Sequence, residues 1–200
     1  MKAERVIQTD NLLADFVGCF NASTLVACSR QCGVVGEYEG DLVRRQNTPE
    51  FALDKLYSEL PSKFPPLYER LVLTYRWYRS EVNVLDLFAN SPGLNCFDLF
   101  GNAPGQTLDG LRTELFGHPA LLETCLPNGY IQFASGPNGS YDPICFDTSQ
   151  KNLRRDFAIV QLDHEAILCN SKIRRVQTIA SSFESLVKSV ISAAQPAAET

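Results

Sequence analysis

The stretch from Gly129 to Val187 constrains the fold of this chain more than any other part of its sequence. It contains three short runs rich in β-branched and aromatic residues, bounded by glycine, proline or polar residues, and such runs are typical of strands. The runs cover Tyr130–Ala134, Tyr141–Phe146 and Phe157–Leu162. The first two are connected through Asn138-Gly139, a strong hairpin-turn signal because both residues tolerate positive φ. The stretch therefore predicts an antiparallel sheet.

An amphipathic helix is predicted at the end of this stretch, after a fourth strand near Ile173–Ile179. Ser181 and Glu184 form a capping-box pattern, with Ser181 at the N-cap position. Apolar residues then recur at helical spacing, namely Phe183, Leu186, Val187, Val190 and Ile191. Burial of this stripe against the sheet stabilises the fold by roughly 1.5–3 kcal/mol per large side chain, before conformational entropy is subtracted.

Two helices flanked by prolines are predicted upstream of the sheet. The first starts after Thr48, which can cap it, has Pro49 in the first helical position and ends at Pro61. The second starts at Pro65-Pro66. Each has one apolar face, formed by Leu53, Leu56, Tyr57 and Leu60 in the first helix and by Leu67, Leu71, Val72 and Tyr75 in the second.

The region between these helices and the sheet is predicted to contain a strand, a loop and a helix. Val82–Ala89 has the composition of a strand, whereas the glycine, proline and asparagine residues of 90–106 predict a loop. A third helix is predicted at Thr107–Phe116 with Gly117 as its C-cap, and a further helical turn precedes Pro127. The order of elements predicts an α+β fold with a central, largely antiparallel sheet flanked by helices.

The length of 200 residues suits one domain with an added segment. Residues 48–193 are predicted to form the domain. Residues 1–47 lack clean periodicity and are predicted to be an N-terminal extension, with its packing on the domain left open. Residues 194–200 are small and polar, so they are predicted to fray.

Composition argues against a nucleic-acid or membrane partner. The net charge is -5, whereas binding to phosphates needs a basic surface, and neither half of the chain is strongly basic. No apolar window approaches the roughly 18 residues of a membrane span, and the charged start of the chain is unlike a signal peptide. The seven cysteines are an odd number, which favours free thiols in a reducing cytoplasm. No pattern predicts a cofactor, and the oligomeric state stays open.

Four segments, taken in order, resemble a known family. They are the proline-flanked helix Leu60–Trp77, the glycine turn and strand Gly139–Asp147, the strand end Leu162–Glu165 and the helix start Ser181–Val187. This order is similar to the SUKH superfamily (SMI/KNR-type), which contains the yeast cell-wall-synthesis regulator and many bacterial toxin-immunity proteins. The resemblance covers about residues 50–193.

The SUKH resemblance implies an α+β fold with a central mixed sheet and a protein-binding role without catalysis. Bacterial members often neutralise a secreted toxin, frequently a nuclease, by occupying its active site, and members elsewhere act as adaptors. We therefore expect a cytoplasmic, non-catalytic binding module that acts as the immunity partner of a bacterial toxin with a basic domain. The alternative is a regulatory or adaptor module that binds a host protein.

Acidic and aromatic residues supply the predicted binding site. The predicted contact residues are Tyr78, Tyr141, Asp142, Asp147, Asp163 and Glu165. The carboxylates follow the sheet strands and their loops, and if they project from one edge they would suit a basic partner. The tyrosines are included because aromatic side chains are favoured at interfaces. The alternative interpretation is a solvated set of loop charges.

His164 is central to the enzymatic alternative. Between Asp163 and Glu165 it could act as a general base, or it could fix a polar turn at the end of a strand. A small hydrolase would pair it with Cys145 or Cys169 as the nucleophile. Both cysteines have apolar neighbours, which raise the pKa of a thiol and favour a structural role. No catalytic residue is predicted from the pattern as a whole.

Metal binding has similarly little support. Cys28-x3-Cys32 resembles half of a zinc site, but the sequence has no second close pair of cysteines. The best three-ligand set that folding could assemble is Cys145, Cys169 and His164. Buried thiols are the alternative interpretation, and no metal site is predicted.

Overall fold

A computed structural model describes residues 8–19, 43–84, 96–102, 108–136, 140–149 and 154–194. The helices are α1 (residues 8–19), α2 (Ala52–Tyr57), α3 (Pro66–Thr74), α4 (Asp109–Phe116), α5 (Pro119–Cys125), α6 (His164–Asn170) and α7 (Phe183–Ala194), with a 3₁₀ turn at Leu126–Asn128. The strands are β1 (Arg44–Arg45), β2 (Tyr75–Arg76), β3 (Ser80–Asn83), β4 (Cys96–Leu99), β5 (Tyr130–Ser135), β6 (Pro143–Asp147), β7 (Ile159–Leu162) and β8 (Arg175–Ala180). The predicted α+β class is confirmed.

The central sheet is an antiparallel meander. Its six strands lie in the order β3-β4-β5-β6-β7-β8, and a separate two-stranded sheet pairs β1 with β2. The three predicted segments around Ile131, Ile144 and Val160 are hydrogen-bonded neighbours, as expected. Every pairing among the described strands is antiparallel, whereas the SUKH resemblance implied a mixed sheet.

Aromatic side chains form the centre of the main core. The rings of Phe133 and Phe146 stack with their centroids 4.2 Å apart. Tyr68 of α3 and Phe183 of α7 contact this pair edge-on, with Tyr68 centred 5.2 Å from Phe146 and 5.1 Å from Phe183. A β-bulge between Gln132 and Ala134 lets the consecutive residues Phe133 and Ala134 both be fully buried. Helices α3 and α7 thus cover the face of the sheet from which Phe133 and Phe146 project.

A smaller core covers the opposite face. Cys145 and Val160 project there and pack with Leu121 and Cys125 of α5 and with Ile167 of α6. Because both faces of the sheet are covered, all four residues of β7 are buried. Three of them are apolar, and the fourth is a glutamine.

The closing helix α7 lies on the sheet as predicted, but its cap is one residue further on. Phe183 and Leu186 are both buried. The hydroxyl of Ser182 accepts the backbone N–H of Ser185 at 3.1 Å, so the N-cap is Ser182. The predicted capping box of Ser181 with Glu184 is therefore wrong, since consecutive serines offer two caps and the helix register selects the second.

Two further predictions are corrected near the N-terminal half of the domain. Helix α2 begins at Ala52 without a side-chain cap, because Thr48 is used elsewhere: its N–H bonds Leu73 O at 2.7 Å and its hydroxyl accepts from Arg76. The strand predicted at 82–89 is β3, which starts earlier, at Ser80, and ends at Asn83; residues 85–89 lie outside the described part.

Strand β4 falls inside the segment predicted as a loop. The strand has only four residues, Cys96–Leu99, and many glycine, proline and asparagine residues surround it. These neighbours favour a loop, so the sequence pattern does not indicate a strand. Pairing with β3 and β5 on either side stabilises a strand that has a weak local preference. The C-terminal part of the predicted helix and its cap, by contrast, agree with α4, and the helical turn before Pro127 is α5.

Two pieces of the predicted N-terminal extension belong to the main core. Leu13, Phe16 and Val17 of α1 are buried there, and Asp10 accepts from Arg70 of α3 at 3.1 Å. Strand β1 pairs with β2. The hairpin turn at 137–139, Cys28-x3-Cys32 and the tail beyond residue 194 lie outside the described residues.

We expect Tyr68→Phe to leave the free energy of unfolding unchanged or to raise it, and Tyr57→Phe to lower it by about 1.5–3 kcal/mol. The hydroxyl of Tyr68 is buried among rings and has no hydrogen-bond partner, whereas that of Tyr57 donates to Glu69 at 2.6 Å. Urea unfolding of the two variants measures the difference. A loss of stability in Tyr68→Phe equal to that in Tyr57→Phe would contradict this account of the core.

Candidate interaction surface

One end of the central sheet collects residues from distant parts of the sequence. The register places the end of β5, the start of β6, the end of β7 and the start of β8 at this end. The segments that enter or leave these strands carry Tyr141, Asp142, Asp163 and Glu165. We call these four residues together with His164 the Tyr141 surface.

Four of the six predicted contact residues are therefore brought together, whereas Tyr78 and Asp147 lie apart. Tyr78 precedes β3, whose start is level with Ala134, so the chain before β3 lies towards the opposite end of the sheet. Asp147 is the last residue of β6 and lies at that opposite end. There it accepts from Ser149 N at 3.2 Å and from the guanidinium of Arg175. Asp142 precedes β6 and Asp147 ends it, so the whole length of the strand separates the two residues. Asp147 therefore cannot share a small contact area with Asp142.

Asp142 holds the surface together from its centre. Its Oδ1 lies 2.6 Å from His164 Nδ1 and accepts the backbone N–H of His164 at 3.1 Å. Its Oδ2 accepts from Gln161 Nε2 at 2.8 Å, and Gln161 Oε1 accepts from Gln177 Nε2 at 2.9 Å. Through these bonds one carboxylate connects the segment before β6 with α6, β7 and β8.

The tripeptide around His164 is the start of a helix and not the strand-end turn considered from the sequence. Asp163 is the N-cap of α6: its Oδ1 accepts the N–H of Ala166 at 2.8 Å, and its other oxygen pairs with Arg174. The partner of His164 is Asp142, a residue that lies 22 positions away. Sequence reasoning missed this pair, although the antiparallel pairing of β6 with β7 already places the two positions at one end.

Tyr78 is positioned by a close backbone approach. A Cβ on Gly101 would lie 2.5 Å from Arg79 N, so only glycine lets the chain after β4 run against this segment. Asn102 then accepts the N–H of Trp77 at 3.0 Å and donates to Tyr75 O at 2.8 Å. The buried indole and this amide fix the backbone from which Tyr78 projects.

Tyr141 is the most exposed aromatic side chain of the Tyr141 surface. It is 67% exposed and its ring lies 6.0 Å from that of His164. Leu168, one turn after His164 on the same side of α6, is also exposed. Tyr78 is 61% exposed but lies away from this surface.

The charges of this region are largely compensated. Asp163 pairs with Arg174, Asp142 is bonded to His164 and Gln161, and Glu165 is exposed. The predicted acidic patch is thus a mixed surface in which basic side chains lie beside the carboxylates. Attraction of a basic partner by net negative charge has little support from this arrangement.

The cysteines do not pair with His164. Cys145 is fully buried beside Cys125, and burial together with the hydrogen bond that its thiol donates to Cys125 raises the pKa of Cys145 well above its ordinary value. Cys169 is exposed, contrary to the expectation of a buried thiol, and it follows His164 by five helical positions, about 140° around α6. Neither proposed Cys–His pair is formed.

The three-ligand metal set considered as an alternative, Cys145, Cys169 and His164, is not brought together. Cys145 lies inside the smaller core while Cys169 faces outward. Within the described ranges, no group of three or more His, Cys, Asp or Glu side chains is placed to hold a metal ion.

Comparison of the chain with protein-family models, with curated proteins and with solved structures finds no match in any of the three. The SUKH resemblance therefore stays a prediction. Among the residues that the structure describes, none of the helices combines the length and the apolar character needed to cross a membrane.

Replacing the cap of α6 tests the architecture of the surface. We expect Asp163→Ala to lower the free energy of unfolding by about 1–2 kcal/mol, because the N–H of Ala166 loses its acceptor and Arg174 its partner. Glu165→Ala, two residues away and exposed, should change it by less than about 0.5 kcal/mol. Urea unfolding measures both, and equal effects would show that Asp163 does not cap the helix.

Alkylation tests the placement of the thiols. At pH 8 iodoacetamide should label Cys169 in the folded protein, whereas Cys96, Cys125 and Cys145 should react only after unfolding in urea. Burial and the nearby Glu81 raise the pKa of Cys96 to about 11, so little thiolate is present even where reagent reaches it. Peptide mass spectrometry resolves the sites. Labelling of Cys145 as fast as Cys169 in the native state would contradict the burial of Cys145.

Proposed function

We propose that this chain is a non-catalytic protein-binding module whose contact area is the Tyr141 surface. The observation that supports this most is the exposure of Tyr141, whose ring lies by His164 at the start of α6, together with that of Leu168 on the same helix. Tyrosine buries a large area at low cost in side-chain entropy and is enriched among the residues that dominate binding energy. Exposure of the Tyr141 side chain to water has no benefit for folding, since it is not part of either core.

The supporting structure of the surface favours binding without rearrangement. Asp142 ties together four segments, and Asn102 holds the backbone next to Trp77. Side chains held on such a frame lose less freedom when a partner docks, so more of the contact energy is available as affinity. Rigid aromatic groups on a fixed sheet end are typical of a preformed interface.

The partner that fits this surface is another protein with both polar and apolar contact groups. Tyr141 and Leu168 supply apolar area, while Glu165 and the exposed Arg174 supply charges of both signs. As the specific form of the proposal, and in line with the SUKH resemblance, the partner is a bacterial toxin domain such as a nuclease and the chain is its immunity protein. We also propose a reducing, cytoplasmic setting, which the free thiols of the adjacent Cys125 and Cys145 support.

Alanine substitution of Tyr141 tests the contact area. A partner is first identified by affinity purification from the native host and then measured with the purified wild-type chain by calorimetry. Tyr141→Ala should weaken its binding at least tenfold, which corresponds to about 1.4 kcal/mol. Phe51→Ala is the matched control, because Phe51 is 73% exposed but belongs to the start of α2.

The outcomes separate the proposal from its alternatives. Equal affinity of Tyr141→Ala and the wild type would remove the Tyr141 surface as the contact area. If the partner is a nuclease, loss of its cleavage activity at one equivalent of the chain supports the immunity role. Unchanged activity of the bound partner supports a regulatory or adaptor role instead.

A further inference from the structure

A cleft of about 860 Å³ lies at the opposite end of the sheet from the Tyr141 surface. It is bordered by α1, by the starts of α3 and α7, and by residues 154–156, which lead into β7. The start of β7 and the end of β8 both lie at the Asp147 end, which places the cleft there. The volume is within the range of roughly 300–1,000 Å³ that small-molecule sites occupy.

The lining of the cleft combines an apolar wall with basic groups. Leu12 of α1, Leu67 of α3 and the buried ring of Phe183 supply the apolar part, and Arg154 and Arg155 supply two guanidinium groups. A guanidinium presents several N–H donors in a planar fork that matches the oxygens of a carboxylate, phosphate or sulfonate. The lining therefore suits a ligand with one apolar and one acidic end.

Arg155 is held in place on the wall of the cleft. Its Nη1 bonds Glu69 Oε2 at 2.6 Å, and the same oxygen accepts the hydroxyl of Tyr57 at 2.6 Å. Its backbone has a φ of 54°, a conformation that residues other than glycine rarely adopt. Only Nη1 is used by Glu69, so the guanidinium keeps further donors for a ligand.

Two of the carboxylates at the cleft are bonded to partners. The carboxylate of Glu69 accepts from Arg155 and Tyr57, and that of Glu184, which lines the cleft, is bonded by Lys188 at 2.7 Å. Asp156 also lines the cleft, so the charged lining of the cleft consists of two arginines and two carboxylates. In addition the first turns of the nine-residue α3 and the twelve-residue α7 border the cleft, and helix starts carry partial positive charge.

We propose that this cleft is a binding site for a small amphipathic organic anion, with its acidic group on Arg154 and Arg155 and its apolar body against Leu12, Leu67 and Phe183. The site is separate from the Tyr141 surface and uses none of its residues. Loss of one site therefore leaves the other intact.

The probe for this test is anilinonaphthalene sulfonate, an aromatic anion, titrated against the full folded chain and followed by fluorescence. We expect saturable binding at one molecule per chain and an increase in Kd of about tenfold in Arg154→Ala, whose side chain is exposed and leaves the core untouched. The neutral phenyl-naphthylamine should bind with a Kd that Arg154→Ala does not change. Lys172→Ala, an exposed basic residue at the other end of the sheet, is the matched control and should leave both dissociation constants as in the wild type.

A second variant keeps the test decisive. Leu67→Trp fills the cleft from the surface of α3 and should abolish binding of both probes while circular dichroism stays native. Sulfonate binding that is unsaturable, or that is unchanged in Arg154→Ala and in Leu67→Trp, would overturn the proposal. An equal loss of the neutral and the anionic probe in Arg154→Ala would also overturn it, because the arginine would then not recognise the acidic group.

Discussion

The stacking of Phe133 on Phe146 is the contact on which the rest of the structure depends. It joins the two central strands of the meander across their main face, and Tyr68 and Phe183 press edge-on against the same rings. Aromatic pairs of this kind contribute beyond their buried area, because ring edges and faces carry opposite partial charge. Helices α3 and α7 are thus set on the sheet by four rings, and the positions of both candidate sites follow from these two helices and the strands beneath them.

A meander turns sequence distance into spatial order in a simple way. Successive connections alternate between the two ends of the sheet, so alternate connections meet. The connections that carry Tyr141 and Asp163 come together at one end for this reason. The arginines before β7 and the start of α7 after β8 meet at the other end, where the cleft lies. The two ends differ in character, one presenting the exposed Tyr141 and the other a concave wall.

Charge compensation decides what the acidic residues can do. Each of Asp142, Asp147 and Asp163 has a specific partner, which is His164, Arg175 and Arg174 respectively. These carboxylates cap a helix or connect strands, so their role in the folded chain is to position other groups. A binding surface built on such a frame owes its affinity to exposed tyrosine area more than to net charge.

The periodicity of the sequence by itself determined the α+β class, the strands β5 to β7 and the burial of Phe183 and Leu186. These features depend on local patterns of apolar residues, which indicate helices and strands without reference to distant contacts. Four of the six contact residues predicted from the sequence lie at the Tyr141 end. Only the tertiary structure decided that Tyr78 and Asp147 lie apart from it, that Ser182 rather than Ser181 caps α7, and that Cys96–Leu99 is a strand. Each of these depends on a partner distant in sequence or on a choice between equivalent neighbours, and long-range contacts such as that of Asp142 with His164 leave no local pattern to read.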